Sequence, residues 1–466
     1  MSTKDLPQKR KPAVESSQGT SPDLIHVPEW GFLEEGRMPL DHARRHFLIF
    51  GETGSGKTRS GILPLLSAWV RFGAGLPKAR PGMLIIDPKN EIGPYLSGAK
   101  LPGIEDILID FEASRKKVDL FEGRDRTKLS PEDVVEAIGP LTSLQQEKQD
   151  PRNTFWAQLG ERLLTVAIDG VMRRSLKQGD SDKNENYFKK TANFLMRTLD
   201  RQKVKTDEWE GITRDLAWKE LEDLGCRGAA EFASMADNQY SGVLSVAMNY
   251  LKVPASETFA RYIWCNPLVP PGKGAAVSIL EAMEEGRILL VGVLDRKSLD
   301  AEDAVGKVIK GLFFRFTFLR KDMNRPLVYA CDEFQRFITG DEETGEQSYI
   351  DRCRAMNVSC IMATQSPNSL LYALRAKAGS VSPQDSFRII CDNTANKFFF
   401  RTTNPVVREE LRMQIPIREG LSHVLDVRPP ASLEVGECYG ILSNGRWGIW
   451  RINIGGGTQG GDECPG

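Results

Sequence analysis

His46-Phe-Leu-Ile-Phe-Gly-Glu-Thr-Gly-Ser-Gly-Lys-Thr58 decides the fold of this chain. The segment opens with a short apolar run that stops at a glycine, the pattern of a strand buried on both faces. From Gly51 to Thr58 the chain satisfies G-x-x-x-x-G-K-[ST] in full. Gly51, Gly54 and Gly56, with Thr53 and Ser55 between them, let the backbone curl so that its N–H groups converge on phosphate oxygens. Lys57 supplies positive charge to the β and γ phosphates, and the Thr58 hydroxyl is placed to bind Mg2+. Ser60 to Val70 continue as an apolar stretch of helical length, so a helix N-terminus, whose dipole favours phosphate, follows the loop. Strand, loop and helix in this order give the motif the context it needs. The reading is a nucleotide site that takes ATP and Mg2+.

Outward from the loop, strands keep ending in polar ligand groups. Met83-Leu-Ile-Ile86 is a second buried strand ending at Asp87, and Ile107-Leu-Ile109 a third ending at Asp110. Apolar strands alternating with helical stretches predict a mostly parallel sheet covered on both faces, an α/β fold. Leu327-Val-Tyr-Ala-Cys331 ends in Asp332-Glu333, and Val358-Ser-Cys-Ile-Met-Ala363 ends in Thr364-Gln365. Such strand ends are where an open parallel sheet places its ligand groups. An Asp here holds Mg2+, so Asp332 joins Thr58 as an expected metal residue. Glu333, directly after it, is positioned to polarise an attacking water. Gln365 is positioned to contact the γ-phosphate or to orient that water.

Other candidates are less specific. In Asp87-Pro-Lys-Asn-Glu91, Lys89 and Glu91 either line the nucleotide crevice or a subunit boundary, or form a salt-bridged loop. Arg352, Arg354 and Arg401 are candidates for an arginine that reaches a neighbour's γ-phosphate. His42 and His46 share an i, i+4 spacing, but no histidine is near a cysteine in the chain and His46 begins a strand, which argues against a metal site.

The middle of the chain changes character. From Ser130 to about residue 260 the sequence reads as helices: Asp133 to Ile138, Thr154 to Arg174, Tyr187 to Arg201, Ile212 to Leu224 and Ala229 to Val253. Ser130-Pro-Glu-Asp has the cap, the proline and the acids of a helix start. Strands then resume with Arg287 to Val291. The expected organisation is a disordered arm over 1–30, a nucleotide-binding domain in two parts over 31–127 and 265–455, an inserted all-α domain over 128–264, and a flexible glycine-rich tail over 456–466.

Composition fits a soluble globular class and rules out a wholly disordered chain. The 466 residues carry 62 Lys and Arg against 63 Asp and Glu, a net charge of −1. Near-neutrality means that any nucleic-acid contact is concentrated locally. The longest apolar stretches are far below the ~18 residues of a membrane span, and Met1 to Ser21 lacks an apolar signal core, so the expectation is a cytoplasmic chain. The 8 cysteines are scattered without a CxxC pair and read as reduced thiols rather than a disulfide framework.

Taken together, the motifs resemble the coupling proteins of type IV secretion, the TraG/TraD-like ATPases of bacterial conjugation. The matching stretches are 46–58, LIIDPKNE at 84–91, the Phe155-Trp156 pair leading into a helix, CDEF at 331–334, ATQSPNSL at 363–370 and NTANKFFFRT at 393–402. They extend over about residues 40 to 450. The resemblance implies a RecA-like P-loop core with an inserted all-α domain. It also implies a homo-hexamer with ATP between neighbours, one that forms only with nucleotide and DNA or is stable without them. The partners implied are single- or double-stranded DNA, or a relaxase–DNA complex, and components of the secretion channel. Residue by residue, Lys57 and Thr58 would serve phosphate and Mg2+, Asp332 Mg2+, Glu333 catalysis and Gln365 sensing of the γ-phosphate, with Arg354 or Arg401 acting in trans. Most members carry an N-terminal membrane anchor and this chain shows none, so either a partner recruits it to the inner membrane or it represents a soluble branch. The function expected is an ATP-hydrolysing coupling protein that drives DNA or nucleoprotein to a conjugation channel. Two alternatives stay open: a HerA/FtsK-like DNA pump in defence or genome maintenance, and a low-turnover nucleotide-dependent adaptor.

Overall fold

The computed structural model describes residues 23–26, 37–72, 79–98, 104–139, 154–179, 186–198, 214–272, 274–292, 299–339, 345–375, 382–414, 425–426, 428–445 and 447–451. Its strands, in chain order, are β1 (Asp23–His26), β2 (Arg37–Pro39), β3 (Phe47–Phe50), β4 (Gly82–Ile86), β5 (Leu108–Asp110), β6 (Lys117–Asp119) and β7 (Ile263–Trp264). They continue as β8 (Ala276–Val277), β9 (Ile288–Val291), β10 (Leu327–Cys331), β11 (Val358–Thr364), β12 (Asn396–Phe400), β13 (Glu437–Ile441) and β14 (Trp447–Arg451).

The main sheet has 9 strands in the order β14-β13-β12-β3-β11-β10-β4-β9-β5. From β12 to β5 every pairing is parallel, and β13 and β14 add an antiparallel edge. The apolar runs are explained by burial on both faces. Along β3, Phe47 and Ile49 belong to one core with Trp69 of the helix Leu63–Phe72, while Leu48 and Phe50 belong to the other, larger core. The same alternation runs through β10, with Val328 and Ala330 on the first side and Leu327, Tyr329 and Cys331 on the second. One strand, β11, separates the phosphate-loop strand β3 from the acidic strand β10. That order brings the carboxyl ends of β3, β11 and β10 side by side.

The helical region leaves and returns at one place. β6 pairs in parallel with β7, with Val118 opposite Ile263, and also with β8. Between β6 and β7 every described regular element is a helix, from Pro131–Ile138 through Thr154–Gln178, Tyr187–Arg197, Arg214–Asp223, Ala229–Ser234 and Asp237–Leu251 to Glu257–Tyr262. Ser130 and Asp133 form a reciprocal capping box at the start of the first, as its sequence predicts. Trp218 is fully buried between Phe194, Phe232 and Tyr240. This packing is continuous with the larger core of the main sheet.

Boundaries differ from expectation in three places. The stretch expected as one helix over Ala229 to Val253 breaks at Met235 and Ala236, whose ψ angles of 139° and 143° are extended. Ile107 ends a helical turn, Ile104–Ile107, instead of starting the strand, because Ile104 and Ile107 at i, i+3 share one buried side. Most of the arm expected over 1–30, and the tail 456–466, lie outside the described residues. Within that arm, however, Asp23–His26 is a strand paired with β2, Ile25 lying opposite Met38, so backbone pairing orders this part of it. Among the described residues, no helix is long and apolar enough to cross a membrane.

Candidate nucleotide site

The loop between β3 and the next helix is built around glycine. Gly54 and Gly56 have φ of 76° and 96°, which L side chains rarely adopt. A Cβ on Gly56 would stand 2.8 Å from the Gly436 nitrogen, and one on Gly51 would stand 2.7 Å from Phe400 Cβ. The loop is thus clamped between its own turn, β12 and the chain entering β13, and Gly436 N donates to Ser55 O at 3.0 Å. Thr53 and Gly54 form the exposed tip, and Ser55, Lys57 and Thr58 are buried beneath it. Lys57 opens a π-helical turn, Lys57–Ile62, that runs into Leu63–Phe72.

Lys57 Nζ donates to Gly51 O at 2.6 Å and Glu52 O at 3.0 Å, so it folds back over its own loop. Burial lowers its pKa, against the opposing pull of Glu333 and Asp332. Thr58 Oγ1 donates to Asp332 Oδ2 at 2.9 Å, directly joining the loop to the acidic strand end. Asp332 is fully buried, and burial raises its pKa against the lowering influence of Lys89 and the Thr58 hydrogen bond. These residues fit ATP with Mg2+. The Ser55 hydroxyl is buried without a hydrogen-bond partner among the described residues, and the Thr58–Asp332 pair offers adjacent hard oxygen donors. Thr58 and Asp332 would hold the ion, which would screen phosphate charge.

Glu333 has φ 49° and ψ 45°, a left-handed conformation that is costly for a non-glycine residue and is found where function fixes the backbone. Its carboxylate is engaged on both oxygens. Lys89 Nζ forms an ion pair with Oε1. Gln335 Nε2 donates to Oε2 at 2.5 Å and Gln365 Nε2 to the same oxygen at 3.2 Å. Burial pushes the Glu333 pKa up, but the hydrogen bond and charge of Lys89, with Gln335 and Lys57, outweigh it and hold the carboxyl below its usual range.

The two readings of the DPKNE loop merge: Lys89 lines the crevice by being salt-bridged across it. Asp87 is fully buried and accepts from the backbone N–H groups of Glu91, Ile92 and Gly93, which shapes the turn that presents Lys89. Glu91 itself is exposed.

The expected arginines separate. Arg401 directly follows β12, and its carbonyl accepts from Glu52 N at 3.2 Å, so it stands beside the phosphate loop of its own chain. Arg354 is exposed in a turn before β11, at the opposite end of that strand from Gln365. Arg352 covers the Phe318 ring at 5.3 Å and donates to Ser348 O. Phe155 and Trp156 are exposed at the start of Thr154–Gln178, in the helical region.

Sequence reading missed Gln335 and Glu52. Gln335 also accepts from Thr364 Oγ1 at 2.7 Å, tying β11 to the turn after β10; its position two residues beyond Glu333 was the only signal. Glu52, at a free position of the motif, accepts from Thr402 and from the Thr403 nitrogen and hydroxyl.

His46 needs a correction. No cysteine is near it in sequence, yet the fold buries it with Cys353 and Cys360 close enough to suggest a metal site. The Cys360 N–H donates to His46 Nδ1 at 3.0 Å, so the ring proton sits on Nε2, which faces Cys353 Sγ at 3.9 Å. A ring in that tautomer offers a metal no free nitrogen. The cluster is a hydrogen-bonded one, and against the opposing effect of burial the Cys360 thiol first, then the His46 ring, lower the Cys353 pKa to about 6. His42 is elsewhere, bonded to Ser443.

The family model "Helicase HerA, central domain" matches residues 37–222. Among solved structures, the unbound bacterial conjugative coupling protein TrwBdeltaN70 aligns with TM-score 0.57 and 16% identity over 90% of this chain and 87% of that one. The plasmid coupling protein TrwB with ADP and Mg2+ aligns equally well, at TM-score 0.57 and 16% identity over 90% and 87%. The chain has their RecA-like P-loop fold. VirB4 of Thermoanaerobacter pseudethanolicus is also similar, with TM-score 0.50 and 17% identity over 93% of this chain and 96% of that one. No curated protein sequence matches the chain.

Proposed function

We propose that this chain is an ATP-hydrolysing motor of the type IV secretion kind, which recruits DNA or nucleoprotein and drives it toward a transfer channel. The observation that carries the hydrolytic part is the contact of Thr58 with Asp332 next to a strained Glu333 that Gln365 touches from the neighbouring strand. In this reading Gly51, Thr53, Gly54, Ser55 and Gly56 cradle the phosphates through backbone N–H groups, and Lys57 turns from its carbonyl contacts to the β and γ phosphates. Glu333 takes a proton from the attacking water, and Gln365 senses the γ-phosphate. Arg354, at the end of β11 away from Gln365, would serve another subunit's site; Arg401, beside its own loop, is the alternative for charge neutralisation. A homo-hexamer would place such an arginine at a neighbour's nucleotide.

The transport part of the reading rests on likeness over nine-tenths of the chain to conjugative coupling proteins. The helical region, 128–264, would be the surface that recognises relaxosome or effector partners, with the nucleotide-binding domain over 31–127 and 265–455. The motor would work in the cytoplasm, brought to the inner membrane by a partner. A second reading, a HerA-like DNA pump outside secretion, is favoured by the family match over 37–222.

The test is ATP turnover with and without single- and double-stranded DNA. Lys57→Ala should abolish it, and Glu333→Gln should bind ATP without splitting it. Wild-type turnover in Lys57→Ala would refute the mechanism. A ring with DNA in its pore, seen by electron microscopy with an ATP analogue, would support the motor. Background turnover with a partner captured by the helical region would instead support an adaptor.

A further inference from the structure

The carboxylate best placed to act as base is itself held on both oxygens. A general base needs a lone pair open to water, and Glu333 is 4% exposed with both oxygens engaged. Gln335 and Gln365 are neutral and share one oxygen. Lys89 holds the other with a full charge.

Lys89 is built to do this. β4 and β10 are adjacent and in register, with Ile86 opposite Cys331, so the residues beyond them leave the sheet side by side. Asp87 fixes the turn through three backbone N–H bonds, which sets the Lys89 backbone firmly. The Lys89 side chain is not locked in the same way. As side chains alone, Lys89 is 32% exposed and Glu333 6%, so the lysine can swing away while the glutamate cannot. Lys89 also lies in the field of Lys57 and Asp332, where the phosphate tail of a nucleotide would sit.

We propose that Lys89 is a latch on Glu333, holding the carboxylate away from water in most ATP-bound molecules and leaving it only in the fraction where the charge of the γ-phosphate has drawn the lysine off, so that the latch limits the DNA-free rate. The inference rests on the reading of Glu333 as the base. It makes a bound triphosphate, and not a diphosphate, the condition under which the base can come free. Lys89 is a positioning residue here, acting through Glu333. A lysine suits the role because its single flexible charge can exchange between two anions.

The experiment measures DNA-free steady-state ATP turnover and binding of a fluorescent ATP analogue in the full chain. The variants are Lys89→Met, Lys89→Arg, Glu333→Gln and Lys89→Met with Glu333→Gln. The latch predicts that Lys89→Met raises kcat severalfold with KM within about twofold of wild type, that Lys89→Arg keeps the low rate, and that the double variant is inactive. A lysine serving only to hold the loop's shape would instead raise KM and weaken analogue binding, and that result would overturn the proposal. An unchanged or reduced kcat in Lys89→Met would overturn it as well. The underlying reading fails separately, through full turnover in Glu333→Gln, whatever Lys89→Met does.

Discussion

The buried ion pair between Lys310 and Glu346 gives the sharpest test of how this core is held together. Lys310 lies on the helix Leu299–Thr317 and Glu346 opens the helix Glu346–Cys353, and their side chains are 1% and 0% exposed. Lys310 Nζ also donates to Phe337 O at 2.5 Å, and Glu346 Oε2 accepts from Thr339 N at 2.9 Å. The pair therefore fixes the chain just beyond the turn that carries Glu333. Removing one partner leaves a buried charge and strands at least one backbone group, which costs about 3–5 kcal/mol. Lys310→Met and Glu346→Gln should each lower the unfolding free energy, taken from the urea midpoint and slope, by that amount. Lys310→Met combined with Glu346→Leu should recover much of the loss, because the penalty belongs to the orphaned charge rather than to the missing attraction. The assay is urea unfolding followed by tryptophan fluorescence, with far-UV circular dichroism checking that the transitions coincide. Single-variant losses below ~1 kcal/mol would refute the reasoning, as would a double variant whose loss equals the sum of the two.

Three further outcomes follow from the geometry. Glu346 is held below the usual carboxylate range because Lys310 and backbone hydrogen bonds outweigh burial, so its contribution is full above the unfolded pKa and is lost as pH falls through the folded one; an acid titration should show a loss of stability below about pH 4 that Glu346→Gln lacks. Gly56→Ala must place a side chain at φ 96° within 2.8 Å of the Gly436 nitrogen, and should weaken ATP-analogue binding at least tenfold while leaving the fold, read by circular dichroism, unchanged. Trp218→Ala opens a cavity among Phe194, Phe232 and Tyr240, and should cost about 3–5 kcal/mol, with early loss of hydrogen-exchange protection confined to the helical region.

Much of the nucleotide site was legible in the chain because its parts are local. A phosphate loop is a continuous segment whose glycines are needed by its own curl, and the apolar strands before it and before Asp332 announce themselves by burial on both faces. The helix start at Ser130 was legible for the same reason, since a capping box spans only four residues. The helix break at Met235 was not, because neither Met235 nor Ala236 is a residue that breaks helices by its own propensity.

Sequence alone determined that this protein has a phosphate loop, an acidic strand end and a glutamine beyond the next strand. Only the tertiary structure decided what those groups touch. The strand order puts β11 between β3 and β10, and this brings Gln365 to Glu333 and Asp332 to Thr58. The register of β4 on β10 turned Lys89 from one of two readings into the partner of Glu333, and the register of β11 on β3 buried His46 with cysteines more than 300 residues away. Local pattern reports the faces of a strand. It carries no information on which strand lies beside it, because that choice is made by the fit of many side chains across the whole core at once.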